Sequence, residues 1–153
     1  MKLAEALIIR ADYQKRIEQL GDRLHRSAKV QEGELPPENP DDLLSELYQL
    51  FDQLERIVQQ INRTNASCHF HETMTLSDAL AKRDILGAKR RGLADLIQAA
   101  TVKHDRYSRS EVKICSTVNI GQLQKQVDEL SKQYRELDAS IQQFNWLTEL
   151  QEA

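Results

Sequence analysis

A chain of 153 residues, 40% hydrophobic and 29% charged, has the length of one domain and enough apolar material to close a core without disulfides or metals. A net charge of −3 removes any global electrostatic pull toward nucleic acid, and two cysteines, Cys68 and Cys115, fit a reducing, cytoplasmic setting rather than a disulfide framework. Glu5 and Arg10 interrupt the apolar opening, so it does not read as a signal peptide, and no apolar run approaches the roughly 18 residues of a membrane span.

The first predicted element is a helix over residues 2–28, where Leu3, Leu7, Tyr13, Ile17, Leu20 and Leu24 recur at helical spacing. Ala28-Lys29-Val30-Gln31 then reads as a short extended piece, and Pro36, Pro37 and Pro40 mark a linker, because proline stops a helix and pushes its preceding residue toward extended backbone. A second helix is predicted over 40–63, with Asn39 as N-cap, Pro40 at its first position and Asp41 and Asp42 in its first turn. Leu43, Leu47, Leu50, Leu54, Ile57 and Ile61 form a heptad seam. Leu44, Phe51 and Val58 run alongside it and broaden the stripe toward a multi-helix core.

A third helix over 75–101 is capped by Thr75 and carries the weakest seam, with Gly87 and Gly92 marking close packing or a bend. Between residues 110 and 118 the apolar period changes to two, through Val112, Ile114 and Val118, which predicts a strand pairing with 28–31. The last helix, 119–147, starts at the cap Asn119. Leu123, Val127, Leu130, Tyr134, Leu137, Ile141 and Phe144 keep heptad register along it, and Trp146 beyond them can close the core or anchor an interface. The reading is a single mainly α domain over 1–153: an antiparallel bundle of four long helices with a small two-stranded element.

Charge is distributed in blocks. Residues 32–56 hold eight acids against Arg56, a balance of −7, and residues 82–113 hold nine bases against four acids, a balance of +5. Either the two segments face each other, within or between subunits, or the basic one forms an anion-binding surface. Lys103 to Lys113, with Tyr107 and several hydroxyls, has the ingredients of phosphate or single-strand nucleic-acid contact beside the plainer reading of a solvated loop.

Catalytic signals are thin. No GxSxG, glycine-rich phosphate loop, HExxH or DxD motif occurs. Cys68, His69 and His71 are zinc-type ligands, yet the closed set of four that a structural site needs is missing, so no metal and no cofactor are expected. Cys115 reads as a packed thiol rather than a nucleophile.

The ordered set Met-Lys-Leu-Ala-Glu-Ala-Leu (1–7), Ala-Lys-Val-Gln-Glu-Gly (28–33), Ile-Asn-Arg-Thr-Asn (61–65), Leu-Ser-Asp-Ala-Leu-Ala-Lys-Arg-Asp (76–84), Arg-Tyr-Ser-Arg-Ser-Glu-Val-Lys (106–113) and Asn145-Trp146 resembles small bacterial proteins labelled septicolysin. The resemblance spans nearly the whole chain. Its label implies a pore-forming toxin, and it carries over no catalytic residue.

Three functions are therefore expected in order: a non-enzymatic helical protein that self-associates, a membrane-active toxin as the resemblance implies, and a binder of a small anion or nucleic acid through 103–113. A homo-oligomer is the expected partner, with a small anion as candidate ligand and no nucleic acid in the leading reading. The candidate polar or anion-binding cluster is Asn62, Arg63, Asn65, Arg83, Arg106 and Arg109.

Overall fold

The computed structural model describes residues 1–102 and 112–153. It has four helices, α1 (Leu3–Ser27), α2 (Pro40–Ser67), α3 (Leu76–Ala100) and α4 (Ile120–Leu147), with a two-stranded antiparallel sheet, β1 (His69–His71) and β2 (Met74–Thr75). The mainly α architecture with a small β element is thus the one the spacing predicts, but the β element lies elsewhere in the chain.

The described chain divides into two compact units: residues 1–76 with 142–153, and residues 77–141. In the first, α1 and α2 fold back on each other around Leu20, Leu43 and Leu50, which are 2–4% exposed, with Tyr13, Ile17, Leu24 and Leu47 packed against them. The turn between the helices is set by Gly33, whose φ of 83° is open to glycine at little cost, and by a hydrogen bond from the Glu34 amide to the Gln31 carbonyl. Arg23 grips Glu38 with two guanidinium hydrogen bonds, tying the end of α1 to the residues just before α2. That bond, more than any electrostatic attraction at a distance, raises the Arg23 pKa and lowers that of Glu38.

Helix α2 begins as its sequence dictates, with the Asn39 side chain accepting from the Asp41 amide at 3.0 Å and Pro40 in the first turn. It continues past the predicted stop at residue 63 to Ser67. The hydroxyls near its end bond back along the helix rather than ending it: Thr64 Oγ1 donates to the Gln60 carbonyl at 2.8 Å and Ser67 Oγ to that of Arg63 at 2.8 Å. Thr64, fully buried, also accepts the Gln151 amide at 2.9 Å, fixing the C-terminal segment on α2. Two further backbone bonds, from Leu3 to the Thr148 carbonyl and from Leu150 to the Met1 carbonyl, close the two ends of the chain on each other.

The predicted strand pair, 28–31 with 110–118, does not form. Residues 28–31 lead into the Gly33 turn, and among the described residues 112–118 are not in a strand, with Val112 and Ile114 each 79% exposed; residues 110 and 111 lie outside the described residues. Alternation alone does not make a strand when no edge is available to pair with it. The hairpin arises from Cys68-His-Phe-His-Glu-Thr-Met-Thr, where a two-residue turn at Glu72 and Thr73 lets His71 face Met74 and His69 face Thr75. Phe70 meets the Phe144 ring at a centroid distance of 5.4 Å and the His71 ring at 5.8 Å.

In the second unit, α3 and α4 run antiparallel, as shown by the Arg83–Asp138 ion pair at 3.0 Å and by the approach of Gly87 to Tyr134. Asn119 caps α4 by accepting from the Gln122 amide at 3.1 Å. The α4 seam is only half-buried from Leu123 to Leu137, and Ile141 is its first fully buried position.

Candidate functional site

The cluster predicted from sequence falls into separate places. Asn62, Arg63 and Asn65 ride the last turns of α2, with Asn62 and Arg63 exposed and Asn65 half-buried. Arg83 lies on α3 and is already committed: its guanidinium bonds Asp138 at 3.0 Å and Asp84 at 3.2 Å. Burial works against its charge, but those bonds outweigh it and leave its pKa above the ordinary arginine value. Arg106 and Arg109, together with the rest of the basic segment 103–111, lie outside the described residues.

The metal-like stretch is laid out along β1, with His69 and His71 exposed and Phe70 half-buried. Among the described residues no group of three His, Cys, Asp or Glu side chains gathers in a way that could hold a metal ion. Cys115 is exposed, not packed as its apolar neighbours suggested, and among the described residues it belongs to no strand.

What the structure does build sits on the two flanks of the α3–α4 hairpin. On one flank a cavity of about 400 Å³ is lined by Gly87, Arg90, Arg91, Ser131, Tyr134 and Arg135. Gly87 makes the floor: a β-carbon there would stand 3.3 Å from both Arg91 Nη1 and the Tyr134 ring, so glycine lets the two walls close. Among the described residues none of the three arginines forms an ion pair, although Arg83 one turn away on α3 is saturated with carboxylate. Three guanidinium groups and two hydroxyls thus line one concavity with their donors unspent.

The other flank is apolar. At 3.6 residues per turn, positions 85, 89, 92 and 96 fall on the side of α3 opposite 87, 90 and 91. Ile85 is 55% and Leu96 41% exposed there, and a shallow groove lined by Leu93 and Leu130 opens over Gly92, where nothing approaches within 4 Å. Lys82 and Lys89 border this stripe and make no ion pair among the described residues.

A matching stripe of opposite charge runs along α2. Leu44, Tyr48 and Phe51 are 40%, 67% and 47% exposed at helical spacing. They include two members of the row that broadened the predicted core, which this chain leaves at its surface; Val58 alone is half-buried. Asp41, Asp52 and Glu55 border them on the same side of the helix. Sequence reading found the charge blocks and the glycines but not these surfaces, since a heptad row looks the same whether or not anything covers it. The nearest signal to the arginine cavity was Lys89-Arg90-Arg91-Gly92 beside Gly87.

A family model described as a family of unknown function (DUF6847) matches residues 10–150. A crystal structure of a functionally unknown conserved protein from Corynebacterium diphtheriae is similar to the chain at 47% identity and a TM-score of 0.93, covering 99% of each chain. No curated protein matches. Among the described residues no helix is long and apolar enough to cross a membrane.

Proposed function

We propose, for a chain that belongs to the DUF6847 family of unknown function, a non-enzymatic role in assembly, in which copies associate by docking the α2 stripe of one on the α3 stripe of another. The observation that carries this reading is the pair of exposed apolar stripes with opposite charge along one edge: Leu44, Tyr48 and Phe51 beside Asp41, Asp52 and Glu55, and Ile85, Gly92 and Leu96 beside Lys82 and Lys89. Apolar surface left in water is costly, at about 25 cal/mol per Å², and patches of this kind mark protein interfaces. Gly92 leaves room for a large side chain such as Tyr48 to approach the α3 backbone. Complementary borders set orientation and speed encounter more than they add affinity.

Sedimentation velocity across low to high micromolar concentration tests the reading. Reversible self-association that is lost in Phe51→Asp is expected. Lys89→Glu weakens it, and Lys89→Glu combined with Asp52→Lys restores it. A chain that stays monomeric at high micromolar concentration overturns the reading.

A further inference from the structure

The geometry points to a second capability, independent of the assembly stripes and on the opposite flank of the hairpin: the cavity walled by Arg90, Arg91 and Arg135 binds a small soluble ligand through a diphosphate or similarly clustered phosphoryl group. Three features argue for this class. Guanidinium groups match phosphate oxygens with paired, planar donors, and three around one concavity bring together more positive charge than a single carboxylate could offset. Asp138, three residues beyond Arg135 on α4, is bonded by Arg83 at 3.0 Å, and among the described residues no ion pair places a carboxylate against Arg90, Arg91 or Arg135, which leaves the three positive charges for a multiply charged anion. The Ser131 and Tyr134 hydroxyls supply neutral donors on the α4 side, so oxygens on both sides of a bridged diphosphate meet partners.

Size agrees. A cavity of about 400 Å³ exceeds what one inorganic phosphate fills and suits a diphosphate with part of the group that carries it. Gly87 preserves that volume. An alanine there would bring its methyl within 3.3 Å of the Arg91 guanidinium and the Tyr134 ring, pressing on both walls from the floor. The repulsion among three like charges in an empty cavity is the same feature that makes an incoming anion favourable. Both hydroxyl-bearing residues and Arg135 stand three and four apart on α4, and Gly87, Arg90 and Arg91 do so on α3, so each helix presents one face to the ligand.

Titration calorimetry of the full chain with inorganic pyrophosphate tests the proposal, with sulfate at equal ionic strength as the reference anion. Saturable one-to-one binding is expected, at least tenfold tighter than for sulfate. The double variant Arg91→Gln, Arg135→Gln weakens it tenfold or more, while Lys125→Gln, on α4 outside the cavity, leaves it within twofold. Ser131→Asp, which places a negative charge against the arginines, abolishes binding without removing any of them. Circular dichroism establishes that each variant folds. Absence of saturable binding overturns the proposal. So does an equal loss in Lys125→Gln, which would mark diffuse charge attraction, and so does binding of oligonucleotides without binding of pyrophosphate.

Discussion

The two hairpins are built from the same kind of repeat and end differently. In α1–α2 four of the six heptad-seam residues, Leu43, Leu50, Ile57 and Ile61, are 1–6% exposed and Leu47 and Leu54 are half-buried, because α1 and the returning C-terminal segment cover the α2 face. In α3–α4 an equally regular seam on α4 is half-buried over four turns, and α3 spends its flanks on glycines, arginines and exposed Ile85 and Leu96. Heptad regularity therefore specifies that a helix forms and which side is apolar. How much of that side is covered depends on the neighbours it finds.

The largest effect that can break this contrast comes from truncating one seam leucine in each hairpin. Leu50→Ala, at a position 2% exposed, is expected to cost about 2–5 kcal/mol in urea unfolding, because the cavity cannot fully collapse. Leu130→Ala, half-buried beside an open groove, is expected to cost about 1 kcal/mol, in proportion to the smaller area it removes from water. Equal costs would mean that the second seam is as closed as the first. Next in size is Thr64→Val, which keeps the shape but strands the Gln151 amide; about 1–3 kcal/mol is expected, with faster hydrogen exchange at Gln151 as the specific readout.

Much of the scaffold was legible in the chain, and the surfaces were not. Asn39, Pro40 and Asn119 signal helix starts through local chemistry that needs no tertiary information, and the structure keeps both caps. Thr64 misled, because a threonine at a helix end and one inside a helix with its hydroxyl bonded to the preceding turn are the same letter; only the C-terminal segment that buries it decides between them. Val112 and Ile114 misled in the opposite way, as a period-two pattern that forms no strand among the described residues and leaves both side chains 79% exposed. Of the polar cluster, Arg83 is held in an ion pair with Asp138, one turn along α3 from Gly87. Ser131, Tyr134 and Arg135 were hidden within a seam whose regularity drew attention to its leucines.

Glycine offers a sharper and smaller test, since both glycines of α3 carry the same intrinsic penalty. Gly92→Ala meets open space and is expected to stabilise the hairpin by about 1 kcal/mol through helix propensity alone, measured at a concentration low enough to keep the chain dispersed. Gly87→Ala gains the same propensity but must displace Tyr134 and Arg91, whose nearest atoms stand 3.3 Å from the new carbon, so its net effect is expected near zero or unfavourable. Equal gains at both positions would show that the cavity floor is slack.

The smallest effect separates the hairpins by pH. Glu38, bonded by Arg23, and Glu149, bonded first by Lys2 and then by the N-terminal amine, both have pKa values lowered below the ordinary glutamate value, and both belong to the first unit. A carboxyl group with a depressed folded-state pKa contributes stability that is fully present above its unfolded value, near 4.5, and is lost as pH falls through the lower folded value. Both pairs are solvent-exposed, so the contribution is modest and is screened by salt. Below about pH 4.5 the α1–α2 amides should therefore lose exchange protection earlier in the wild type than the change in solvent chemistry alone accounts for. Glu38→Gln should remove part of that acid dependence while lowering stability slightly at neutral pH. An unchanged acid profile in that variant would place the pH-sensitive contacts elsewhere, and the closed hairpin would owe its stability to its seam alone.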